Sequence, residues 1–301
     1  MKTRLFILIL LFAPLAVAQD PQSTFKSNVN LVNVYVTVVN ENGAPIGGLK
    51  KNDFLLTEDG VPQTIAFFTK ESELPLSVVV AIDTSLSTKK DIHLELESAR
   101  RFIHGILRPQ DAVAVYRFDS EVERVQNFTN DLHRIDRGIE NIRVGSATAL
   151  YDAIYLSTRD LEKRQGRKVL VLITDGGDTF SKVDFPDALR SAQQSEAIVY
   201  PIIIVPIEAD AGRNTGGEHA LIQFATDTGG KYYYASSIAQ LDEAFRQVSE
   251  ELRTQYLLAY YPTKRLSDSD FRRLEVTLQN DGAGKKYSAR HRTGYYTSKM
   301  E

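Results

Sequence analysis

Val78-Val79-Val80-Ala81-Ile82-Asp83-Thr84-Ser85-Leu86-Ser87 is the stretch on which the fold turns. An apolar run ends at a carboxylate, and two hydroxyls follow at alternate positions. A continuous apolar run bounded by polar residues fits a strand buried on both faces of a parallel sheet. Polar residues at the carboxyl end of such a strand lie where open α/β sheets hold ligands. Asp83, Ser85 and Ser87 are hard oxygen donors, better suited to Mg²⁺ than to a soft metal. Taken alone, the same residues also fit an ordinary helix start, where hydroxyls cap free backbone N–H groups.

The surrounding chain keeps this pattern. From Leu76 to about Leu252, strand-like runs (Ser77–Ile82, Ala112–Phe118, Val122–Phe128, Lys168–Thr174, Ala197–Val205, Lys231–Tyr234) alternate with helical ones. In Lys90–Leu107 the residues Ile92, Leu96, Ala99, Ile103 and Ile106 fall on one helical face. Further helices are expected at Ala149–Arg164, Pro186–Gln194, His219–Thr228 and Ile238–Leu252, the last opened by a Ser237/Gln240 capping box. Strands alternating with helices imply a doubly wound, mainly parallel α/β sheet of six strands. The short link from Phe118 to Val122 makes one edge strand antiparallel.

Period-two patterns flank this region. Val32, Val34, Val36 and Val38 alternate with polar residues, as do Leu274, Val276 and Leu278. Phe54–Glu58 and Gln63–Thr69 flank Asp59-Gly60, a hairpin signal, so residues 30–70 should hold about three strands. Small sheets need a packing partner. The economical arrangement pairs the N- and C-terminal groups into one small β-sandwich with the α/β domain inserted between them. Two separate appendages are the alternative.

At the N-terminus, Lys2 and Arg4 precede the apolar run Leu5–Ala18, which closes on Ala16-Val17-Ala18. This reads as a cleavable secretory signal peptide, with a periplasmic or extracellular mature chain and no transmembrane segment. The expected organisation is signal peptide 1–18, leader 19–29, N-terminal β region 30–72, α/β domain 73–252 and C-terminal β region 253–301.

The 301 residues carry 36 Lys and Arg against 39 Asp and Glu, a net charge of −3 that gives no support to nucleic-acid binding. There is no cysteine, hence no disulfide, thiolate metal site or thiol nucleophile. His93, His104, His133, His219 and His291 do not pair at metal-ligand spacing, and no H-E-x-x-H, G-x-S-x-G or P-loop occurs. Lys285, Lys286, Arg290 and Arg292 read as a solvated or edge strand that uses charge against aggregation. The residues therefore point away from an enzyme.

Two further stretches complete a pattern. Gly145-Ser146-Ala147-Thr148-Ala149 offers a hydroxyl in a small-residue loop before a helix. Val169-Leu170-Val171-Leu172-Ile173-Thr174-Asp175-Gly176 ends a second buried strand at an aspartate. Together with Asp83-x-Ser85-x-Ser87 they resemble the von Willebrand factor A-type domain. The flanks, with Asn52-Asp53-Phe54, Tyr256-Leu257-Leu258-Ala259-Tyr260-Tyr261-Pro262 and Gly294-Tyr295-Tyr296, are similar to exported bacterial proteins of the VWFA-related family of acidobacterial type. The resemblance implies a metal-ion-dependent adhesion site built from Asp83, Ser85, Ser87, Thr148 and Asp175, with Mg²⁺ (or Mn²⁺ or Ca²⁺) bridging to an acidic side chain of a protein partner. Ala147 departs from the glycine often found there. Asp178 is another candidate, expected to cap the turn that follows it, with a place in the outer shell of the site as the alternative. A metal-assisted hydrolase and a structural envelope module with a vestigial site remain open as other readings.

Overall fold

The computed structural model describes residues 31–70, 74–86, 92–205, 215–264, 271–279 and 287–297. The expected signal peptide and leader, Ser87, Lys285, Lys286 and most of the 206–217 loop lie outside the described residues.

The chain opens with β1 (Val32–Val39), β2 (Phe54–Glu58), β3 (Val61–Gln63) and β4 (Ile65–Lys70). Asp59 and Gly60 both take positive φ, 49° and 78°, as a tight hairpin turn requires. The hairpin partner differs from expectation. β2 pairs with the three-residue β3, Leu56 opposite Gln63. The chain then breaks at Thr64 and β4 joins the other sheet, so residues 30–70 hold four strands and not three. Two buried side chains explain the break. Gln63 is fastened to Thr263, its amide nitrogen donating to that hydroxyl and its oxygen accepting the Thr263 N–H, while Ile65 turns into the apolar core.

Next come β5 (Leu76–Asp83), α1 (Ile92–Ile106), β6 (Ala112–Phe118), β7 (Val122–Thr129), α2 (Leu132–Glu140), α3 (Leu150–Glu162), β8 (Arg167–Thr174), α4 (Phe185–Gln194), β9 (Ile198–Ile204), α5 (Thr215–Thr228), β10 (Tyr233–Ala235) and α6 (Ile238–Thr254). Their strands form one six-stranded sheet in the order β10-β9-β8-β5-β6-β7. All pairs are parallel except β6–β7 at the edge. Every residue of β5 is buried. Val78, Val80 and Ile82 meet α1, α2 and α6 on one face, while Val79 and Ala81 meet α3, α4 and α5 on the other. Removing such a side chain from water contributes roughly 1.5–3 kcal/mol, which is why the strand is apolar from Val78 to Ile82; the buried Ser77 before it accepts from Arg164.

Helix α2 has no counterpart in the sequence reading, because only Ile135, Gly138 and Ile139 of it are buried. Its start is set by Asp131, which accepts from the N–H groups of His133 and Arg134. Helix α6 is capped by Ser237 as expected, but Gln240 reaches the N–H of Ser236 instead of closing the box on Ser237. The strand expected at Lys231–Tyr234 is β10, shifted to Tyr233–Ala235.

The chain closes with β11 (Tyr256–Tyr260), β12 (Phe271–Leu278), β13 (Ser288–Arg290) and β14 (Gly294–Tyr296). N- and C-terminal strands pair directly, forming the sheets β13-β1-β11-β4 and β14-β12-β2-β3. Residues of both, among them Val34, Leu258, Leu56 and Val276, form one apolar cluster. The opposite face of β1 is not left to solvent. Tyr35 packs on the core of the α/β sheet, and the hydroxyl of buried Thr37 accepts from Gln255 at the end of α6.

Of the two expectations for Arg290 and Arg292, a solvated or an edge strand, the second holds for β13, which lies at the edge of its sheet, but its arginine and Arg292 face acids of the α/β domain and not open solvent. Arg290 is paired with Glu251 of α6, and Arg292 donates to the Asn33 carbonyl (2.6 Å) and pairs with Glu196. With Glu251 buried and Arg292 7% exposed, these groups line the seam between the α/β domain and the β strands.

Candidate metal centre

Asp83 ends β5 with no exposed surface. One carboxylate oxygen accepts the Ser85 N–H at 2.9 Å, which turns the chain sharply out of the strand, and the other accepts the Thr174 hydroxyl at 2.7 Å. Burial pushes the carboxyl up to about 6, the bonds from Ser85 and Thr174 hold it down, and the charge of Asp175 adds to the rise. Ser85 is buried as well. Ser87, the third residue of the motif, lies outside the described residues.

Residues 145–149 are stitched to this turn on one side and to the loop after β8 on the other. Gly145 N–H donates to the Thr84 carbonyl, and Leu86 N–H to that of Ser146. The Thr148 carbonyl accepts from the N–H groups of Thr179 and Phe180, and its own N–H donates to the Thr179 hydroxyl. Gly145 is required because a Cβ there would lie 1.8 Å from an Asp119 carboxylate oxygen. Asp119 follows β6, is buried, and is held by Arg117 at 2.6 Å.

Asp175 follows Thr174 at the end of β8 and is half-buried. Gly176 takes φ +101°, and Gly217 of α5 packs so closely that a Cβ would fall 1.3 Å from the Gly176 carbonyl oxygen. Beside them Glu218 is buried and accepts from the Tyr234 hydroxyl. Asp178 does more than cap its own turn. It bonds Ser181, but it also accepts from the N–H groups of Leu150 and Tyr151 and so caps α3 from a different loop.

Asp83, Ser85, Thr148 and Asp175 are thus brought to one end of the sheet by adjoining loops. Thr174, Asp119 and Glu218 were missed by sequence reasoning, as was the reach of Asp178 to α3. Thr174 carried a signal, being the polar residue that interrupts an apolar run just before Asp175; the others depend on loops meeting. Among the described residues no three His, Cys, Asp or Glu form a metal-holding cluster. A set rich in hydroxyls has a different composition. It consists of hard oxygens around a carboxylate whose ionisation burial penalises, and a divalent cation would offset that penalty.

The family model for the von Willebrand factor type A domain matches residues 78–177, the span that holds Asp83, Thr148 and Asp175. Residues 78–177 thus belong to a von Willebrand factor A-type domain. No curated protein matches the chain. Among solved structures, the von Willebrand factor type A protein of Catenulispora acidiphila is 12% identical, with a TM-score of 0.53 over 89% of this chain and 75% of that one. Proximal thread matrix protein 1 of the mussel byssus is 14% identical, with a TM-score of 0.51 over 64% of this chain and 49% of that one. The PilB minor pilin of Streptococcus sanguinis is 15% identical, with a TM-score of 0.49 over 61% of this chain, which spans 62% of the pilin. The likeness at such identities is one of fold. The A-type domain therefore supplies the frame, and its site must be argued from its own residues.

Proposed function

We propose that this protein is an exported, non-enzymatic binding module whose A-type domain recognises an acidic side chain of a protein partner through a divalent cation, Mg²⁺ in the first instance. The observation that carries this reading is the buried Asp83 carboxylate gathered with the Ser85 turn, the Thr148 loop and Asp175 at the carboxyl end of the sheet. Ser85, Ser87 and Thr148 would supply neutral hydroxyl donors, with Asp83 and Asp175 as the anionic groups. A cation held by few charges stays electrophilic towards an incoming carboxylate. Export rests on Lys2, Arg4 and the run Leu5–Ala18. Among the described residues no helix is long and apolar enough to cross a membrane. We take the two flanking sheets to be one small sandwich that supports the A-type domain.

The rim of the site supports a protein partner. Leu86 and Phe180 are 60% and 55% exposed, and each is bonded through its backbone N–H to residues 146–148. Two large apolar side chains left in solvent beside a charged site suit an interface. The test is affinity capture from an envelope extract with Mg²⁺ or with chelator, using wild type, Asp175→Ala and the double variant Leu86→Ser/Phe180→Ser. A partner held by wild type only with Mg²⁺, lost by Asp175→Ala and weakened by the rim variant, is the expected result. The same partners in every arm would move the binding surface away from the metal.

A further inference from the structure

His291 lies where the chain crosses from one β sheet to the other, between β13 and β14. Both of its ring nitrogens are engaged, by groups of opposite sense. Nε2 is 3.0 Å from the N–H of Val276, which can only donate. Nδ1 is 2.7 Å from the carbonyl of Arg292, which can only accept. The imidazole is therefore neutral, with its proton on Nδ1.

The Val276 bond is a substitute for sheet pairing. β12 pairs with β14 from Phe271 to Arg273, and the ladder continues as Leu274 N–H to the Thr293 carbonyl. Two residues on, the chain has turned away and the ring nitrogen takes the place of a backbone carbonyl. The same crossover is also the anchor on the A-type domain. A Cβ on Gly229, just after α5, would lie 2.6 Å from the Arg292 nitrogen, and Thr293 N–H donates to the Asp227 carbonyl.

We propose that His291 is an acid-sensitive latch, which holds the 291–293 crossover between the β strands and the A-type domain while neutral and releases it when protonated. A second ring proton on Nε2 would face the Val276 N–H, setting donor against donor and leaving both without an acceptor. The charged groups around it oppose one another. Burial, the largest influence, disfavours the imidazolium; the bond to the Arg292 carbonyl and the charge of Glu275 on β12 favour it, the Arg292 guanidinium disfavours it, and the ring titrates below the ordinary imidazole range. Arg292 is itself balanced by Glu196, Arg290 by Glu251, and Asp227 of α5 is engaged by Thr293. A group whose folded value is depressed stabilises the fold at neutral pH, and that contribution is lost as pH falls through the folded value.

The test is hydrogen exchange of the full chain, followed in peptides from 271–279 and 287–297 and corrected for intrinsic rate, between about pH 8 and about pH 5. Wild type should lose protection at Val276 by about tenfold or more towards acid, the effect of an unsatisfied buried donor on a local opening equilibrium. His291→Gln keeps an acceptor and a donor without titrating, and should stay protected throughout. Glu275→Gln should move the wild-type transition to lower pH. Unchanged protection in wild type would overturn the proposal, as would the same opening in His291→Gln. If His291→Gln fails to fold, a Glu275→Gln transition that does not move overturns it.

Discussion

Asp83 carries two demands in one side chain. Its carboxylate turns the chain out of β5 through the Ser85 N–H, yet full burial makes ionisation costly. With the folded value raised to about 6 from 3.8, the stabilising contribution of the neutral form is complete at acid pH and is lost as pH rises through about 6. A divalent cation favours the ionised form, so protons and cation compete. The rise in Tm produced by Mg²⁺ should be largest above this value and shrink as pH falls through it, as differential scanning fluorimetry over a pH series would show. Asp83→Asn should abolish the Mg²⁺ effect and leave the metal-free protein at least as stable above pH 6. The amide oxygen can still accept from Ser85 while its nitrogen donates to Thr174. A gain of up to about 3 kcal/mol corresponds to the ionisation penalty removed. A variant still stabilised by Mg²⁺ would place the cation elsewhere.

Among elements, the loop that carries Thr148 is fixed by close backbone approach more than by its own propensity. Gly145 lies against Asp119 and bonds the Thr84 carbonyl, so the loop has one place to go. Gly145→Ala forces a methyl into the Asp119 carboxylate and should cost about 1–3 kcal/mol, the range for overpacking. Urea denaturation measures it, and an unchanged midpoint would refute the contact. The hairpin turn at Asp59-Gly60 and the apolar runs of β5 and β8 were legible because each is a local pattern. The capping of α3 by Asp178 was not, since donor and acceptor sit 28 residues apart and meet only when two loops pack.

For the whole molecule, the seam between the A-type domain and the β strands carries two ion pairs, Arg290–Glu251 and Arg292–Glu196. Glu251 on α6 is 1% exposed and is bonded by Arg290 of β13 and by the hydroxyl of Tyr233. Removing one partner of a buried pair leaves the other charge uncompensated. Glu251→Met should therefore destabilise by about 3–5 kcal/mol, and Arg290→Met/Glu251→Met, which removes both charges, should recover much of the loss. Equilibrium unfolding of wild type, Glu251→Met, Arg290→Met and the double variant gives the coupling directly, and equal losses in Glu251→Met and the double variant would remove the pair from the account.

The sequence by itself determined the alternation of strands and helices, the two-sided burial of β5 and β8 and the flanking strands, because periodicity and burial are written in neighbouring residues. It also offered Asp83, Ser85 and Ser87 as oxygen donors at a strand end, while Thr148 and Asp175 joined them through the resemblance to the A-type family. Only the tertiary structure decided that β4 leaves its hairpin for the other sheet, that Arg290 and Arg292 pair with acids in a seam, that Asp178 caps a distant helix, and that His291 completes a ladder of backbone bonds. Each of these turns on a polar group, Gln63 in the first case, whose partner is remote in the chain. A charged or hydrogen-bonding side chain looks the same in sequence whether it meets water or a buried partner, and only packing chooses between them.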